Sequence, residues 1–278
     1  MSDFAGWLLM GLAAAAIIAL GWWLLIESEG VYLGRRVVIW LYDLYADRYD
    51  DIKRFRPDYD YMFLAQPIME RIAPHRSPLV LDVATGTGRL PLAMLDHALF
   101  QGRVIGVDMS RRMLSKAAAK LEGQEHRVAL VWSPAEQLPF PDASFDVVTC
   151  LEALEFMTAP ERVLGELARV LRPGGLLLIT NRINTRLMPG KTFAAETLVA
   201  RLEALGLRNV EIEYWQVDYD RVWACKEGVS QPTGARPLAE VLSCPRCGQL
   251  MVENDAVWRC PTGHFTAPVG RDGVVEML

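Results

Sequence analysis

Residues 82–88 read Asp82-Val83-Ala84-Thr85-Gly86-Thr87-Gly88, and residues 104–108 read Val104-Ile105-Gly106-Val107-Asp108. Each follows or contains a short apolar run of the kind that forms a buried strand. The glycines after the first run let backbone approach a ligand without a Cβ clash. A helix start follows and offers free N–H groups. Asp108 closes the second run, 22 residues beyond Gly86. A carboxylate at that strand end suits the two hydroxyls of a ribose. Dinucleotide sites share this plan but want a third glycine, and here the register reads Gly86, Gly88, Pro91. Asp82, four residues before the first glycine, is foreign to the dinucleotide fingerprint and suits an ammonium group instead.

Around this stretch, short apolar runs alternate with helical ones. Strands are predicted over 79–83, 103–107, 128–132, 145–150, 176–180, 210–215 and 221–224. Helices are predicted between them, for example over 89–99, 112–121, 159–171 and 194–205. Strand and helix in turn imply an α/β, Rossmann-like, seven-stranded, mostly parallel sheet with helices on both faces. Ligands of such sheets bind at the C-terminal strand ends, near the point where strand order reverses.

The segment resembles class I S-adenosylmethionine-dependent methyltransferases, and within them the ubiquinone and menaquinone methyltransferase-like branch. The matching stretches are Val80 to Gly88, Gly106-Val107-Asp108-Met109-Ser110 with Met113-Leu114, Ala135-Glu136-Gln137-Leu138-Pro139-Phe140, Ser144-Phe145-Asp146-Val147-Val148 and Arg169 to Gly175. Ala46-Asp47-Arg48-Tyr49-Asp50 is similar to the family's N-terminal segment, which folds over the cofactor. The resemblance implies that Asp82, Ala84, Gly86 and Gly88 hold the methionine end of S-adenosylmethionine. It places Asp108 on the ribose, Met109 against the adenine, Ala135-Glu136 at the edge of the base, and Tyr49 in the covering segment. Family members often carry Asp just before the Ala-Glu pair, where this chain has Pro134; either neighbouring backbone or Glu136 takes over, or cofactor affinity is weaker.

No catalytic residue is assigned. Glu152, Glu155, Asn181 and Arg182 fall at strand ends facing the expected pocket and are read as surface or helix-start polarity. The Asn-Pro-Pro-Tyr type motif of enzymes that methylate exocyclic or amide nitrogens is absent, which argues against those acceptors.

Residues 4–26 contain no charged residue, His, Asn or Gln. At about 1.5 Å per residue they reach roughly 34 Å, enough to cross a bilayer's hydrocarbon core. Trp7, Trp22 and Trp23 sit near the two ends, where indole rings prefer the interface. Arg35, Arg36, Arg48, Lys53, Arg54 and Arg56 follow the run. The positive-inside rule then makes this a single-pass membrane anchor with the catalytic domain cytoplasmic. Gly11, Ala15 and Ala19 are read first as small residues of an Ala-rich span; the alternative is that they seat a second helix, as in a homodimer. Residues 31–49 mix apolar and aromatic residues with charged ones, and a helix there either lies on the membrane surface, covers the next domain's ligand, or simply packs into the core.

Residues 228–237 read as a linker. Then come Cys244-Pro245-Arg246-Cys247, twelve intervening residues, and Cys260-Pro261-Thr262-Gly263-His264. Three thiolates and an imidazole at this spacing make a closed tetrahedral zinc set of the structural kind. So few residues cannot hold a fold by core burial alone. The segment is similar to the small activator protein that partners tRNA and release-factor methyltransferases. It is also similar to the N-terminal ribbon of a bacterial 23S rRNA guanine methyltransferase. Its role is either substrate recognition or covering an apolar flank. The domains expected are an anchor (1–28), a methyltransferase domain (29–228), a linker (229–240) and a zinc ribbon (241–278).

The chain has 278 residues, net charge −5 and five cysteines, of which Cys150 and Cys225 stand alone in apolar runs. That pattern suits a reduced compartment with one metal site, not a disulfide framework. The acidic balance argues against nucleic acid as a partner. The reading favoured is methyl transfer to a membrane-proximal small molecule, lipid or quinone-like. Two others stay open: an RNA or protein methyltransferase that uses the ribbon for recognition, and a non-catalytic cofactor-binding module.

Overall fold

The computed structural model describes residues 2–183, 188–189 and 191–278. Five helices lead in: α1 (Ser2–Trp22), α2 (Arg35–Tyr45), α3 (Tyr49–Lys53), α4 (Pro57–Asp60) and α5 (Gln66–Arg71). The alternating region follows as β1 (Leu79–Val83), α6 (Arg89–Asp96), β2 (Arg103–Asp108), α7 (Arg111–Lys120), β3 (Val128–Trp132) and β4 (Phe145–Cys150). It continues with α8 (Pro160–Val170), β5 (Leu171–Arg182), α9 (Ala195–Ala204), β6 (Leu207–Gln216) and β7 (Tyr219–Lys226). Beyond it lie β8 (Val252–Asn254), β9 (Val257–Arg259), β10 (Thr266–Pro268) and β11 (Val275–Glu276).

The main sheet has the order β11-β3-β2-β1-β4-β5-β7-β6, with β5–β7 and β6–β7 antiparallel and the other pairs parallel. β1 pairs with β2 on one side and β4 on the other, so strand order reverses there and a crevice opens at their C-terminal ends. Every residue of β1 and β4 is buried, as expected of central parallel strands covered on both faces. Side chains alternate between two cores: Leu79, Leu81 and Val83 join one, Val80 the other. α6 and α7 cover the Val80 face, while α8 and α9 cover the other.

The seven strands expected are present, and an eighth joins them. β11 adds to the edge as a parallel partner of β3, pairing Val275 with Val131 and Glu276 with Trp132. A missing helix explains how this happens. Residues 133–144 link β3 to β4 without one, so the Leu79 face beside β3 lacks the cover that a crossover would supply. The cysteine-bearing segment fills the gap. Its Val241, Leu242, Met251, Trp258 and Ala267 are buried in the same core as Leu138 and Phe140. Backbone bonds fix the seam: Ser243 N–H to the Pro139 carbonyl (2.8 Å) and Met277 N–H to the Trp132 carbonyl (3.0 Å). Of the two roles open to the ribbon, the packing supports cover of an apolar flank.

The linker is strapped down rather than loose. Asp146 is buried and accepts from Leu79 N–H (2.9 Å), Arg172 Nε (2.6 Å), Thr233 N–H (2.9 Å) and the Thr233 hydroxyl (2.7 Å). Burial opposes its charge, but these donors outweigh burial and hold the carboxyl below its usual range.

Among the described residues, one helical stretch is long and apolar enough to cross a membrane: Phe4–Glu27, of 24 residues, none of it buried against the protein. Its last five residues, Trp23–Glu27, form a π-helical turn.

Candidate functional site

The C-terminal ends of β1 and β2 open into a cleft of about 840 Å³, a volume in the range of cofactor sites. Seven of the residues singled out from sequence line it: Tyr49, Ala84, Gly86, Asp108, Met109, Ala135 and Glu136. Asp82 lines a smaller adjoining cavity of about 390 Å³ that shares Tyr49, Ala84 and Gly86 with the cleft. Gly88 lines neither cavity. A Cβ there would lie 3.2 Å from Leu121 Cδ1 and 3.3 Å from Ala117 Cβ, and its φ is +83°. Close packing of the loop against α7 requires that glycine. Gly86 differs: its φ is +56°, and a Cβ would meet nothing within 4 Å.

Asp108 is half-buried, and its two oxygens accept the N–H groups of Gly86 and Ser110, each at 2.8 Å. The carboxylate thus orders the glycine loop and the start of α7 while still facing the cleft. Ser110, not Asp108, caps that helix, accepting Met113 N–H at 3.1 Å. Burial raises the Asp108 carboxyl above its ordinary range, and the N–H donors only partly offset this. Asp82 is buried, and its Oδ1 accepts the Thr149 hydroxyl at 2.7 Å. Burial pushes its carboxyl up to about 6, with Thr149 pulling the other way. No cation forms an ion pair with Asp82 among the described residues. A buried carboxylate with no direct ion pair, facing a cavity whose nearest cation is Arg89, suits a cationic ligand group.

α2 lies over the cleft: Arg35, Val38, Ile39 and Tyr42 line it, while Trp40 and Leu44 of the same helix are exposed. Arg35 donates to Met109 Sδ (3.0 Å) and lies 3.6 Å from Glu136. Met109 is fixed further by its carbonyl, which accepts Trp132 Nε1–H at 2.8 Å. Ser133, Ala135 and Glu136 reach the cleft while Pro134 does not. The sequence flagged neither Arg35 nor Ser133 as a site residue, since neither belongs to a motif.

Glu152, Glu155, Asn181 and Arg182 are not surface polarity. Glu152 lines both cavities and bonds Arg89 (2.6 Å) and Gln216 (2.7 Å). Its φ of 51° is a left-handed conformation that non-glycine residues seldom adopt. Glu155 is buried, takes a hydrogen bond from Tyr219, and lies 3.6 Å from Arg182. Asn181 donates to the Phe193 carbonyl at 3.1 Å and serves packing.

At the far end of the chain, the sulfurs of Cys244, Cys247 and Cys260 lie within 4.8 Å of one another, with Cys247 and Cys260 3.4 Å apart. Thiolates about 2.3 Å from a tetrahedral zinc stand at comparable separations. His264 is outside this group: its Nδ1 lies 3.0 Å from Thr262 Oγ1, which is itself 3.0 Å from Cys260 Sγ.

Comparison with known proteins bears on this site. The family described as "Methyltransferase domain" matches residues 81–179. A demethylmenaquinone methyltransferase of Thermus thermophilus is 38% identical over 137 residues, which are 48% of this chain and 60% of that protein. A phosphatidylethanolamine N-methyltransferase of Cereibacter sphaeroides is 36% identical over 152 residues, covering 52% of this chain and 72% of that one. Among solved structures, the complex between the Haloferax volcanii Trm112 methyltransferase activator and the putative methyltransferase superimposes with a TM-score of 0.54. It is 20% identical and covers 67% of this chain and 98% of that one, which speaks to the fold alone. The chain thus spans about three-fifths of the Thermus relative's length and nearly three-quarters of the Cereibacter one's. With the glycine loop, both carboxylates and the strand order in place, the chain belongs to the class I S-adenosylmethionine-dependent methyltransferases.

Proposed function

We propose that the chain transfers the methyl group of S-adenosylmethionine to a lipid-soluble acceptor at a membrane surface, either a quinone-like molecule or a lipid. One observation carries this reading: two carboxylates, Asp108 and Asp82, stand at adjoining cavities at one end of the sheet, with Tyr49 shared by both cavities. Asp108 would take the ribose hydroxyls. Asp82, Ala84 and Gly86 would take the methionine end, and Met109, Ala135 and Glu136 the adenine. S-adenosylmethionine supplies an activated methyl group on a sulfonium. What remains for the protein is orientation and exclusion of water, and positioning alone can account for much of the rate. α2 roofs the cleft for this purpose, tied down by Arg35.

The relatives named for demethylmenaquinone and phosphatidylethanolamine support a lipid-soluble acceptor. The apolar stretch Phe4–Glu27 supports a membrane anchor. The basic residues that follow it would keep the methyltransferase domain on the cytoplasmic side. Cys244, Cys247, Cys260 and His264 would hold one structural zinc, His264 by turning from Thr262 toward the thiolates. The test is incubation of the full-length protein with tritiated-methyl S-adenosylmethionine and membranes of its host. Label in the chloroform phase is the expected result. Label confined to protein or RNA would overturn the acceptor class.

Asp82 makes the cofactor step pH-dependent. Its raised carboxyl is neutral below about pH 6 and charged above it. A cationic ligand group gains from the charged form only. Affinity for S-adenosylmethionine is therefore expected to hold between about pH 7 and 6.5, where the ligand's ammonium stays charged, and to fall by about tenfold per unit below 6. The same shift acts on folding with the opposite sense. Keeping this carboxylate charged at neutral pH costs roughly 3 kcal/mol, so its own contribution favours the ligand-free fold as pH drops from 6 toward 4. Calorimetric titrations across this range check the binding curve, and Asp82→Asn is expected to flatten it at weak affinity. A wild-type curve that is flat down to pH 5 would remove Asp82 from the cofactor site.

A further inference from the structure

A third cavity, of about 970 Å³, lies where the apolar N-terminal helix meets the domain. Leu25 and Ile26, from the π-helical end of that helix, form one side. Leu41 and Tyr45 of α2 and Ile52 of α3 form the rest of its apolar lining. The lining is not closed off from the outside: Leu25, Ile26, Tyr45 and Ile52 are all solvent-exposed, Ile52 at 55%. The apolar surface runs on without a break into α1, where Leu20 and Trp22 are more than half exposed. Polar groups gather at one part of the lining. Glu29 accepts the Tyr42 hydroxyl (2.8 Å) and Lys53 Nζ (3.2 Å).

Two aromatic residues connect this chamber to the cofactor cleft. Tyr42 and Tyr49 line both, with ring centroids 5.7 Å apart. Tyr49 also lines the small cavity of Asp82. Among the described residues, Tyr49 alone is common to the chamber, the cleft and the Asp82 cavity.

We propose that the chamber takes the hydrocarbon chain of a bilayer lipid, entering sideways at the end of the membrane-spanning helix, and so delivers a lipid acceptor's head to Tyr42 and Tyr49. This rests on the reading that the cleft binds S-adenosylmethionine and that Phe4–Glu27 spans a bilayer. The occupant follows from continuity: the chamber's apolar side is the last turn of the helix that faces lipid, so a chain slides from bilayer to protein without crossing water. Its amphipathic lining, apolar at the helix and polar at Glu29, matches a molecule with a tail and a head.

The test uses full-length protein in nanodiscs of phosphatidylcholine, with Tyr45 replaced by the photoreactive benzoylphenylalanine. Irradiation followed by mass spectrometry should show adducts of phospholipid mass on α2. Adding Ile52→Asp puts a charge in the chamber at a position exposed enough to spare the fold, which an unchanged thermal transition would verify. It is expected to cut the adduct yield at least fivefold. Adduct yields unchanged by Ile52→Asp would mean that lipid merely brushes the surface, and would overturn the proposal. Adducts joining two protein chains would make a second copy the occupant, with the same consequence. Titration of S-adenosylmethionine in the same nanodiscs separates the failures. Absent cofactor binding sinks the methyltransferase reading whatever the adducts show. Binding without lipid adducts sinks the tail site alone.

Discussion

Asp108→Ala is expected to weaken S-adenosylmethionine binding by roughly ten- to a hundred-fold. Losing a hydrogen bond to a charged group costs about 1.5–3 kcal/mol, and each 1.4 kcal/mol is tenfold. Two effects of one carboxylate add here. The proposed contact with the ribose is lost, and the N–H groups of Gly86 and Ser110 lose their shared acceptor. The second effect loosens a loop that the cofactor must then order at its own expense. Asp108→Asn divides them, because the amide oxygen can still accept one N–H while the charge is gone. Calorimetry on both variants should rank wild type above Asn and Asn above Ala. A folded Ala variant that binds as tightly as wild type would remove Asp108 from the ribose.

The Rossmann-like region was legible because its signals are local. β1 to β4 are short runs flanked by turn residues, and the motif carboxylates come at or next to strand ends, so a period and a spacing suffice. Less legible were features made by partners distant in sequence. The amphipathic pattern of 31–49 shows that one face is apolar without saying what it meets; contact between Arg35 and Met109 bridges 74 positions. Gly88 looked like a ligand glycine because it follows Gly86, yet the atoms that exclude a Cβ there belong to α7. Glu152 and Glu155 read as surface polarity because single acidic residues usually are. Only their partners Arg89, Gln216, Tyr219 and Arg182, gathered from several elements, make them members of networks, Glu152 half-buried and Glu155 buried. β11 could not be foreseen: two residues of strand carry no period, and the missing helix in 133–144 matters only once the face it leaves bare is known.

The ribbon's attachment leads to a second large effect. A ribbon hung on a flexible linker would melt alone when its metal is lost, and the methyltransferase sheet would not notice. Here the two share a core, β11 completes the β3 edge, and Arg111 of α7 grips the tail through Asp272 (2.7 and 2.8 Å) and Glu276 (3.0 Å). The Arg111 guanidinium holds the Asp272 carboxyl down to about 2. Cys260 is buried and belongs to both the thiol cluster and this core. Cys260→Ser is therefore expected to abolish zinc binding and to lower the melting temperature of the whole domain by about 8–15 °C. That corresponds to roughly 4 kcal/mol at about 2–4 °C per kcal/mol for a domain of this size, well inside what a structural zinc contributes. Elemental analysis gives the metal content, and calorimetry of the variant beside chelator-treated wild type gives the melting. Loss of zinc with an unshifted main transition would show the ribbon to be thermally independent despite its packing. A purified wild type without zinc would dispose of the ligand set itself. Arg111→Ala supplies the complementary case, because it leaves the thiols alone and cuts the grip on the tail. It should keep its zinc yet melt earlier than wild type, placing part of the loss at the β3–β11 seam rather than at the metal.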